Sequence, residues 1–416
     1  MPKTRALPEL SVRSFRASDE KECARIGSWA FTGPGTESRW RVYLRRNPHL
    51  SPERVLVAVR GRQHAGMAAN LDLEMAIEGR LVPVDGVAAV GVDPLHRQQG
   101  VANALVREAI RRSARKRRAF SALHPFRESF YRKFGYALFE WAQVVTIAPG
   151  ALPWTDGQVH VRFARPRDTA KIDRCYREWM KGRTGPLERT PFWWKRRVLG
   201  SDVDQIVFEG ARGAIEGYAL GSMIERGILG RRRYRVVELA ALTERARRGL
   251  LGAMRRLGDE VGRLELLLAP DDPMIAFLRD PPLLTPALDP SGSLPSIQFG
   301  AGCMARVTDL EKALLTRPGR GETGTFQVEL TDSHLAENEK PRYFRLGKKG
   351  PEILRSARDA QPIRAEVGAF TQVLLGAVSA SAARQAGLLD CAPETAAILD
   401  RAWHGPTAFL SPPNRF

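Results

Sequence analysis

Cysteine is scarce in this sequence, and the few cysteines stand far apart. The four of them, Cys23, Cys175, Cys303 and Cys391, form no CxxC pair. Neither a zinc site nor a disulfide framework is therefore indicated. We expect no bound metal and a reducing, cytoplasmic environment.

Long apolar runs are missing as well. The first eight residues lack the apolar core of a secretory signal. No run reaches the roughly 18 apolar residues that a membrane-spanning helix needs. The sequence therefore predicts no signal peptide and no membrane span.

Acidic residues are outnumbered by basic ones. Across 416 residues, 65 Lys and Arg stand against 46 Asp and Glu, which gives a formal net charge of +19. This excess favours anionic partners, either a phosphate-bearing cofactor or a nucleic acid. The arginine-rich residues 107–118 and 231–233 would contact a nucleic acid, but they lack interleaved aromatic residues. A solvated basic surface is the alternative, and we do not expect nucleic acid to be the main partner.

The strongest chemical signal lies in residues 87–102, which read VAAVGVDPLHRQQGVA. The apolar residues 87–92 predict a buried strand, which Pro94 ends because proline cannot donate to a sheet. Helical spacing begins at Val101. Gly100 has almost no side chain, so a ligand can approach the free N–H groups of the helix start. Such a junction is suited to binding a pyrophosphate.

Three positions of this stretch carry a family resemblance. Arg97, Gly100 and Ala102 match the Arg/Gln-x-x-Gly-x-Gly/Ala signature of the GCN5-related N-acetyltransferases (GNATs), whose loop binds the pyrophosphate of acetyl-CoA. Residues 131–136, YRKFGY, resemble the next family motif, in which a tyrosine lies near the CoA sulfur. The alternative is a strand–helix junction with a fortuitous glycine and no nucleotide.

Secondary structure in the first 150 residues follows from hydrophobic periodicity and turn signals. The predicted strands are 55–59, 65–77, 81–92, 120–123 and a long closing strand, 136–147. The predicted helices are 19–31, 36–46, 101–116 and 127–133. In acetyltransferases of this shape, a loop such as residues 32–35 helps to wall the acceptor site.

A second unit repeats features of the first. Arg13, Arg16 and Asp19 recur 149 positions later as Arg162, Arg165 and Asp168, and Gly100 then falls on Gly249. Two agreements at one spacing predict a duplicated domain. At that offset Ala246 replaces Arg97, Leu251 replaces Ala102, and residues 280–282 replace the tyrosine motif. The copy is therefore expected to bind no cofactor of its own.

The remaining sequence reads as a third α/β unit after a proline-rich connector at residues 281–295. An amphipathic stretch at 305–315, strands at 324–331 and 343–346, and helices at 365–381 and 393–403 are predicted. A GNAT domain at 1–150, a degenerate GNAT-like domain at 151–296 and a third domain at 297–416 together resemble the enhanced intracellular survival (Eis) family. Its third domain is similar to sterol carrier proteins, and its members often form hexamers.

The resemblance to Eis proteins implies a set of site residues. Those placed against acetyl-CoA are Val90, Gly91, Val92, Arg97, Gln98, Gln99, Gly100, Val101, Ala102, Asn103, Phe126 and Arg127. Tyr131 falls on the general acid, and the α-carboxylate of Phe416 falls on the proposed general base. His124 is an auxiliary base candidate. Tyr136 is expected to pack, and His96 is given no role.

The chemistry of amine acetylation makes these roles reasonable, because the amine must lose a proton as it attacks the thioester. A free α-carboxyl, with a pKa of about 3.3–3.7, is a poor base in water, although desolvation raises that value. An ordinary frayed terminus is the alternative for Phe416. Family members that acetylate aminoglycosides have an acidic residue where Arg415 stands. We therefore expect a less charged amine, or one that carries a carboxylate, as the acceptor.

The expected function is thus transfer of the acetyl group of acetyl-CoA to a primary amine. Two alternatives stay open. One is a non-catalytic protein in which bound acyl-CoA signals through the other domains, and the other is a nucleic-acid-associated protein.

Overall fold

The computed structural model describes residues 8–199, 203–225, 232–279 and 295–416. The strands are β1 (Leu10–Ser14), β2 (Val55–Arg60), β3 (Gln63–Ile77), β4 (Arg80–Val92), β5 (Phe120–Leu123), β6 (Ala137–Leu138), β7 (Trp141–Ile147), β8 (Val161–Phe163), β9 (Asp204–Glu209), β10 (Ile215–Glu225), β11 (Arg232–Ala241), β12 (Val261–Leu268), β13 (Ser296–Ala301), β14 (Met304–Val307), β15 (Gly324–Thr331), β16 (Arg342–Gly347), β17 (Gly350–Leu354), β18 (Gln361–Glu366) and β19 (Leu389–Asp390). The helices are α1 (Glu20–Gly27), α2 (Glu37–Arg46), α3 (Val101–Arg115), α4 (Glu128–Arg132), α5 (Thr169–Met180), α6 (Pro191–Trp193), α7 (Glu244–Arg255), α8 (Leu310–Leu314), α9 (Ala336–Glu339), α10 (Val367–Leu374), α11 (Ala380–Gln385) and α12 (Pro393–Trp403).

The first sheet has the strand order β1-β2-β3-β4-β5-β14-β6. Strands β1 to β4 are antiparallel, and β5 then runs parallel to β4. The connection between β4 and β5 is α3, whose predicted apolar face, Val101, Leu105 and Ala109, is buried against the sheet. The helix predicted at 19–31 is shorter, because α1 gives way to a wider turn at Ser28–Thr32.

The second sheet repeats this plan in the order β13-β7-β12-β11-β10-β9-β8. Its parallel pair is β11 with β12, connected by α7. The predicted repeat has one structural role in both copies. Arg13 forms a salt bridge with Asp19 at the start of α1, and Arg162 forms one with Asp168 at the start of α5. The shortest N–O distance is 2.7 Å in each pair. The two sheets are therefore duplicates in topology and in this contact.

The two sheets exchange strands. In the first sheet β5 is flanked by β14, which follows the second unit in the chain. In the second sheet β12 is flanked by β7, which follows the first unit. The prediction of one closing strand at 136–147 is wrong, because the chain passes from β6 in one sheet to β7 in the other. Strand pairing thus cuts across the predicted boundaries at 150 and 296. The amphipathic stretch at 305–315 is likewise divided between β14 and α8.

The two exchanged segments cross at Glu140 and Cys303. The Gly302 N–H donates to the Glu140 carbonyl at 3.1 Å, and the Phe139 N–H donates to the Cys303 carbonyl at 3.2 Å. The Glu140 carboxylate accepts the backbone N–H groups of Cys303 at 2.7 Å and Leu410 at 2.9 Å. The buried Glu140 side chain therefore connects the crossing of the two exchanged segments to Leu410.

The third sheet has the order β17-β16-β15-β18-β19 and packs against α10 and α12. Its core is built around Trp403, whose ring lies 5.8 Å from that of Phe344. The helix predicted at 365–381 is wrong as one helix, because Gly376 adopts a left-handed conformation after α10 and α11 starts afresh at Ala380. The predicted connector at 281–295 lies outside the described residues, apart from Pro295.

Burial makes Glu140 a pH-dependent element of this fold. Burial raises the pKa of Glu140 to about 7, although the N–H groups of Leu410 and Cys303 and the charge of Arg415 act in the opposite direction. Between its unfolded and folded pKa values the carboxyl keeps its proton only in the folded state. Its stabilisation is therefore complete at low pH and is lost as pH rises toward and through 7.

We predict that the unfolding free energy of the wild type, minus that of Glu140→Gln, falls by about 3 kcal/mol between pH 4 and pH 8. Urea denaturation of both proteins across this range measures the difference. A difference that does not change with pH would contradict the assignment, whereas a constant offset between the proteins would not.

Candidate functional site

The candidate site begins where two parallel strands part. Strand β5 pairs with β4 at only three positions, the last of them Gly86 opposite Ala122. Strand β4 continues to Val92 without β5 beside it, while its other edge stays paired with β3. Val90, Gly91 and Val92 therefore line a wedge-shaped opening in the first sheet.

A bulge in β4 bends the strand just before this opening. The register with β3 shifts between Met67 and Ala69, and Ala89 has a φ of +52°, a conformation that is uncommon for residues other than glycine. An added β-carbon at Gly91 would lie 3.3 Å from Ala30. The turn at Ser28–Thr32 thus covers the same stretch of β4, next to the predicted acceptor wall.

The start of α3 forms an open anion site. Gly100 is its N-cap, with a φ of +80°, and its added β-carbon would meet no atom within 4 Å. Glycine is therefore required by backbone conformation rather than by crowding. No side chain among the described residues caps this helix start. The N–H groups and the positive end of the helix dipole therefore face the exposed loop that carries Arg97 and Gln98.

Neighbouring contacts hold this loop in place. Arg60 donates to the Gln99 carbonyl at 3.2 Å, and the Gln99 side chain donates to the Leu95 carbonyl at 3.1 Å. Lys133, which follows α4, donates to the Asn103 side chain at 2.9 Å. The loop before α3 is thus tied to β2 on one side and to the region of Tyr131 on the other.

Tyr131 lies in an aromatic cluster beside the loop. Its ring is 5.7 Å from Phe126, 5.0 Å from Phe130 and 6.2 Å from Tyr136. Burial raises the pKa of Tyr131 to about 12, so the phenol keeps its proton at neutral pH. Its hydroxyl makes no hydrogen bond to any described residue. The Tyr136 hydroxyl, in contrast, is bonded to Ser121 at 2.7 Å and packs as expected.

Phe126 and Arg127 differ from the rest of the cluster in their exposure. Phe126 is 72% exposed, and Arg127 at the start of α4 is also open to solvent. Both lie within a few residues of Tyr131, and the Phe126 ring contacts the Tyr131 ring. They are therefore accessible to a ligand that reaches the wedge from outside.

Phe416 reaches the apex of the wedge. A β-carbon added at Gly86 would lie 2.8 Å from the Phe416 ring, so only glycine leaves room for it. The same ring lies 5.0 Å from His124, which follows β5. Gly86 belongs to the last β4–β5 pair and His124 follows that strand. Phe416 therefore covers the point where the two strands separate.

His124 is neutral at the edge of this apex. Burial, reinforced by the charge of Arg415, lowers the pKa of His124 to about 4. Its Nε2 is buried and has no hydrogen-bond partner among the described residues. The ring is thus free to exchange a hydrogen bond with a ligand at this position.

Sequence reasoning missed the residues that bring Phe416 here. Residues 407–416, called the terminal segment below, run between the first two sheets. Thr407 bonds to Asp271 at 2.9 Å, Phe409 to the Thr184 carbonyl at 3.1 Å, and Trp193 donates to the Pro413 carbonyl at 2.8 Å. These partners come from distant parts of the chain, and no local motif marks them.

In the described part of the second unit, the helix start that corresponds to that of α3 differs from the sequence-based expectation. The predicted equivalence of Gly249 to Gly100 is wrong, because Gly249 lies inside α7 and packs against Phe208. The structural counterpart of Gly100 is Thr243, the N-cap of α7. Its hydroxyl accepts the Ala246 N–H at 3.1 Å, so the helix start is already capped.

Sequence comparisons match three stretches of the chain to known domain families. Profiles described as acetyltransferase (GNAT) domains match residues 11–139 and 185–307, and a sterol carrier protein domain profile matches residues 310–411. Proteins named N-acetyltransferase Eis, from Mycobacterium bovis and Mycobacterium tuberculosis, are 29% identical over 273 residues. Two stretches of the chain thus match acetyltransferase (GNAT) domain models, and the chain is similar to the Eis proteins. The alignment covers 60% of this chain and 63% of the length of those relatives.

Solved structures support the fold of this chain. A GCN5-related N-acetyltransferase from Anabaena variabilis superimposes with a TM-score of 0.83 at 17% identity, covering 98% of this chain and all of the other. Eis1 from Mycobacterium abscessus gives 0.75 at 20% identity with the same coverage. The predicted fold class, tandem GNAT-type domains with a degenerate second copy and a sterol carrier protein-like third domain, is confirmed.

Two further features concern metals and membranes. The described residues contain no group of three or more His, Cys, Asp or Glu side chains arranged to hold a metal ion. Within the same described ranges, no helix has the length and apolar character required to cross a bilayer.

The geometry of the loop predicts a specific requirement for Gly100. In Gly100→Ala the left-handed conformation becomes strained and the helix start shifts. We expect the dissociation constant for CoA to rise at least about tenfold, equivalent to 1.4 kcal/mol. Isothermal titration with CoA measures this change.

Gly387→Ala is the matched control. Gly387 has a φ of +70° and the same open surroundings, but it lies in the third unit. Equal CoA affinities in the two variants would mean that the Gly100 loop does not bind the cofactor.

Proposed function

We propose that this protein transfers the acetyl group of acetyl-CoA to the primary amine of a small molecule. The observation that carries the proposal is the meeting of three parts at one place. The parted strands β4 and β5, the uncapped start of α3 and the buried phenol of Tyr131 surround an opening that Phe416 covers at its apex. The name of the curated relatives, N-acetyltransferase Eis, agrees with this chemistry.

Acetyl-CoA fits the residues present. In the proposal the pantetheine arm pairs with Val90, Gly91 and Val92 along the free edge of β4. The pyrophosphate binds the free N–H groups of the loop at residues 97–103, which includes Gly100, and Phe126 and Arg127 flank the arm. The bound thioester supplies an activated acetyl group. No metal is needed for this reaction.

The reaction needs one group that accepts a proton from the amine and one that donates a proton to the leaving thiolate. The neutral amine attacks the thioester carbonyl, a C–N bond forms, and the C–S bond breaks. The amine nitrogen gives its proton to a base, and the leaving thiolate is met by the Tyr131 hydroxyl as general acid. Since burial keeps that phenol protonated, it is ready to donate a hydrogen bond as negative charge develops on sulfur.

The proposed base is the α-carboxylate of Phe416. Its ring is fixed between Gly86 and His124, which brings the end of the chain to the apex of the wedge. His124 remains an auxiliary base candidate because its Nε2 has no hydrogen-bond partner among the described residues, but its lowered pKa makes it the weaker choice. Intact mass of the isolated protein establishes whether residue 416 carries a free carboxylate.

The charge around the terminal segment points to an acceptor that carries an anionic group. The Arg197 guanidinium donates to the Arg415 carbonyl at 3.3 Å. Neither Arg197 nor Arg415 forms an ion pair with any described residue, and the charge of Arg415 contributes to the low pKa of His124. Two unpaired cations repel polycationic acceptors and attract a carboxylate or phosphate.

The nucleic-acid alternative loses support at α3. Arg112 and Arg115 both pair with Glu108, Arg117 pairs with Asp309, and Arg118 pairs with Asp72. These arginines are therefore engaged with carboxylates of the protein itself. The hexameric assembly that the Eis resemblance implies and the cytoplasmic location that the cysteine usage suggests remain part of the proposal, and mass photometry tests the assembly.

The first prediction for this function concerns Tyr131. We expect Tyr131→Phe to lower kcat for CoA release by a factor of about 10² to 10⁴, because the general acid is lost. CoA affinity should stay within about twofold of the wild type, since the ring remains in its cluster. Intact CoA binding with no thiol release from the wild type, across a broad amine panel, would favour the non-catalytic alternative instead.

The second prediction concerns the acceptor. Amines with a carboxylate or phosphate should be preferred over polyamines of similar size. Arg415→Ala should raise KM for the anionic amines about tenfold, equivalent to the loss of 1.4 kcal/mol, while KM for acetyl-CoA stays unchanged. A polyamine preference in the wild type would contradict this assignment.

A further inference from the structure

The second unit contains a fully buried ion pair. Arg189 and Glu238 have side chains that are 0% and 1% exposed, and their two parallel contacts measure 2.9 and 2.5 Å. The Tyr218 hydroxyl also donates to Glu238 at 2.6 Å. Burial alone would raise the pKa of Glu238, but Arg189 and these hydrogen bonds hold it below its usual value.

This pair faces the terminal segment. The Nε of Arg189 donates to the side-chain oxygen of Asn414 at 2.9 Å, and the Ser411 hydroxyl donates to Glu238. Tyr176 adds a second hydrogen bond to Asn414 at 3.1 Å. Both terminal-segment residues are buried, so each contact is shielded from water.

The geometry of Arg189 leaves it little freedom. Its guanidinium lies 3.9 Å from the centre of the Tyr176 ring and 4.8 Å from that of Trp194. Arg189 can keep its ion pair with Glu238 and its ring contacts while it donates to Asn414 only if Asn414 occupies one position. Buried ion pairs are weak evidence of stabilisation, because desolvation offsets their attraction. A role in fixing position is the more economical explanation of this one.

Asn414 is only two residues from Phe416. We propose that the Arg189–Glu238 pair positions the terminal segment, so that the cofactor-free second unit sets the placement of Phe416 in the site of the first. This inference rests on the proposed role of Phe416 in acetyl transfer. It gives the degenerate copy a function, namely to hold the part of the chain that completes the other copy's site.

A second anchor makes the effect of the pair testable on its own. Leu410 is held separately through Glu140, four residues before Asn414. Loss of the Arg189 contact should therefore loosen Asn414 and the residues after it, while Leu410 and Pro413 stay held through Glu140 and Trp193. Small displacements of a reacting group lower rates steeply, with 1 Å costing up to about 10²-fold.

The test compares three variants. Arg189→Met removes one partner, and the double variant Arg189→Met/Glu238→Leu removes the pair without leaving a buried unpaired charge. Arg317→Met is the control: Arg317 is equally buried and pairs with Glu78 at 3.1 Å, but it lies in the third unit and does not contact residues 409–416.

We expect the double variant to lower kcat by about 10²-fold with unchanged CoA affinity, and carboxypeptidase to shorten it faster than the wild type. The control should keep its kcat. Asn414→Ala, which alters only the terminal segment, should reproduce the loss of kcat and covers the case in which the double variant fails to fold.

The outcomes separate this inference from the proposed function. A variant lacking Phe416 that retains wild-type kcat would overturn the role of Phe416 as base, and with it the catalytic meaning of the pair. If removal of Phe416 abolishes turnover while the double variant and Asn414→Ala both turn over normally, the positioning role alone is wrong. Equal carboxypeptidase rates in wild type and double variant would also contradict it.

Discussion

The arrangement of this protein depends on one buried carboxylate at a chain crossing. Glu140 accepts the N–H of Cys303, where the second exchanged segment passes, and the N–H of Leu410 in the terminal segment. Gly302 leaves no room for a side chain beside that carboxylate. Because each GNAT sheet takes a strand from the other side of this crossing, neither sheet is complete without its neighbour. Function at the first site is thereby tied to the folding of the second.

The two GNAT-type units share the topology of a duplicated domain, but they differ in what they contribute to the protein. Both have an arginine–aspartate salt bridge at the start of their first helix, and both have a parallel strand pair joined by a helix. They diverge at the start of the helix that joins the parallel strands: Gly100 leaves the start of α3 open, whereas the Thr243 side chain caps the start of α7. The copy without a cofactor site instead contributes Arg189 and Glu238 to the terminal segment.

The sequence was informative where chemistry is local. The Gly100 loop, the following helix, the tyrosine motif and the repeated arginine–aspartate contact each occupy a short stretch whose residues determine its shape. The strand exchange was not predictable from the sequence pattern. Alternating hydrophobic and polar residues indicate that residues 136–147 are extended, but they do not indicate which sheet these residues join. The false equivalence of Gly249 arose because a fixed offset ignores insertions between repeats. The partners of Asn414 are more than 200 residues away, so no local signal could reveal them.

The central claim is that Phe416 and Tyr131 approach the thioester from the two sides of the opening between β4 and β5. A crystal structure of the protein with CoA and a bound acceptor amine tests this most directly. We predict that the Tyr131 hydroxyl lies about 3–3.5 Å from the CoA sulfur and that the Phe416 carboxylate lies within hydrogen-bond reach of the amine, directly or through one water. A terminal carboxylate turned into bulk solvent, or a sulfur far from Tyr131, would contradict the account.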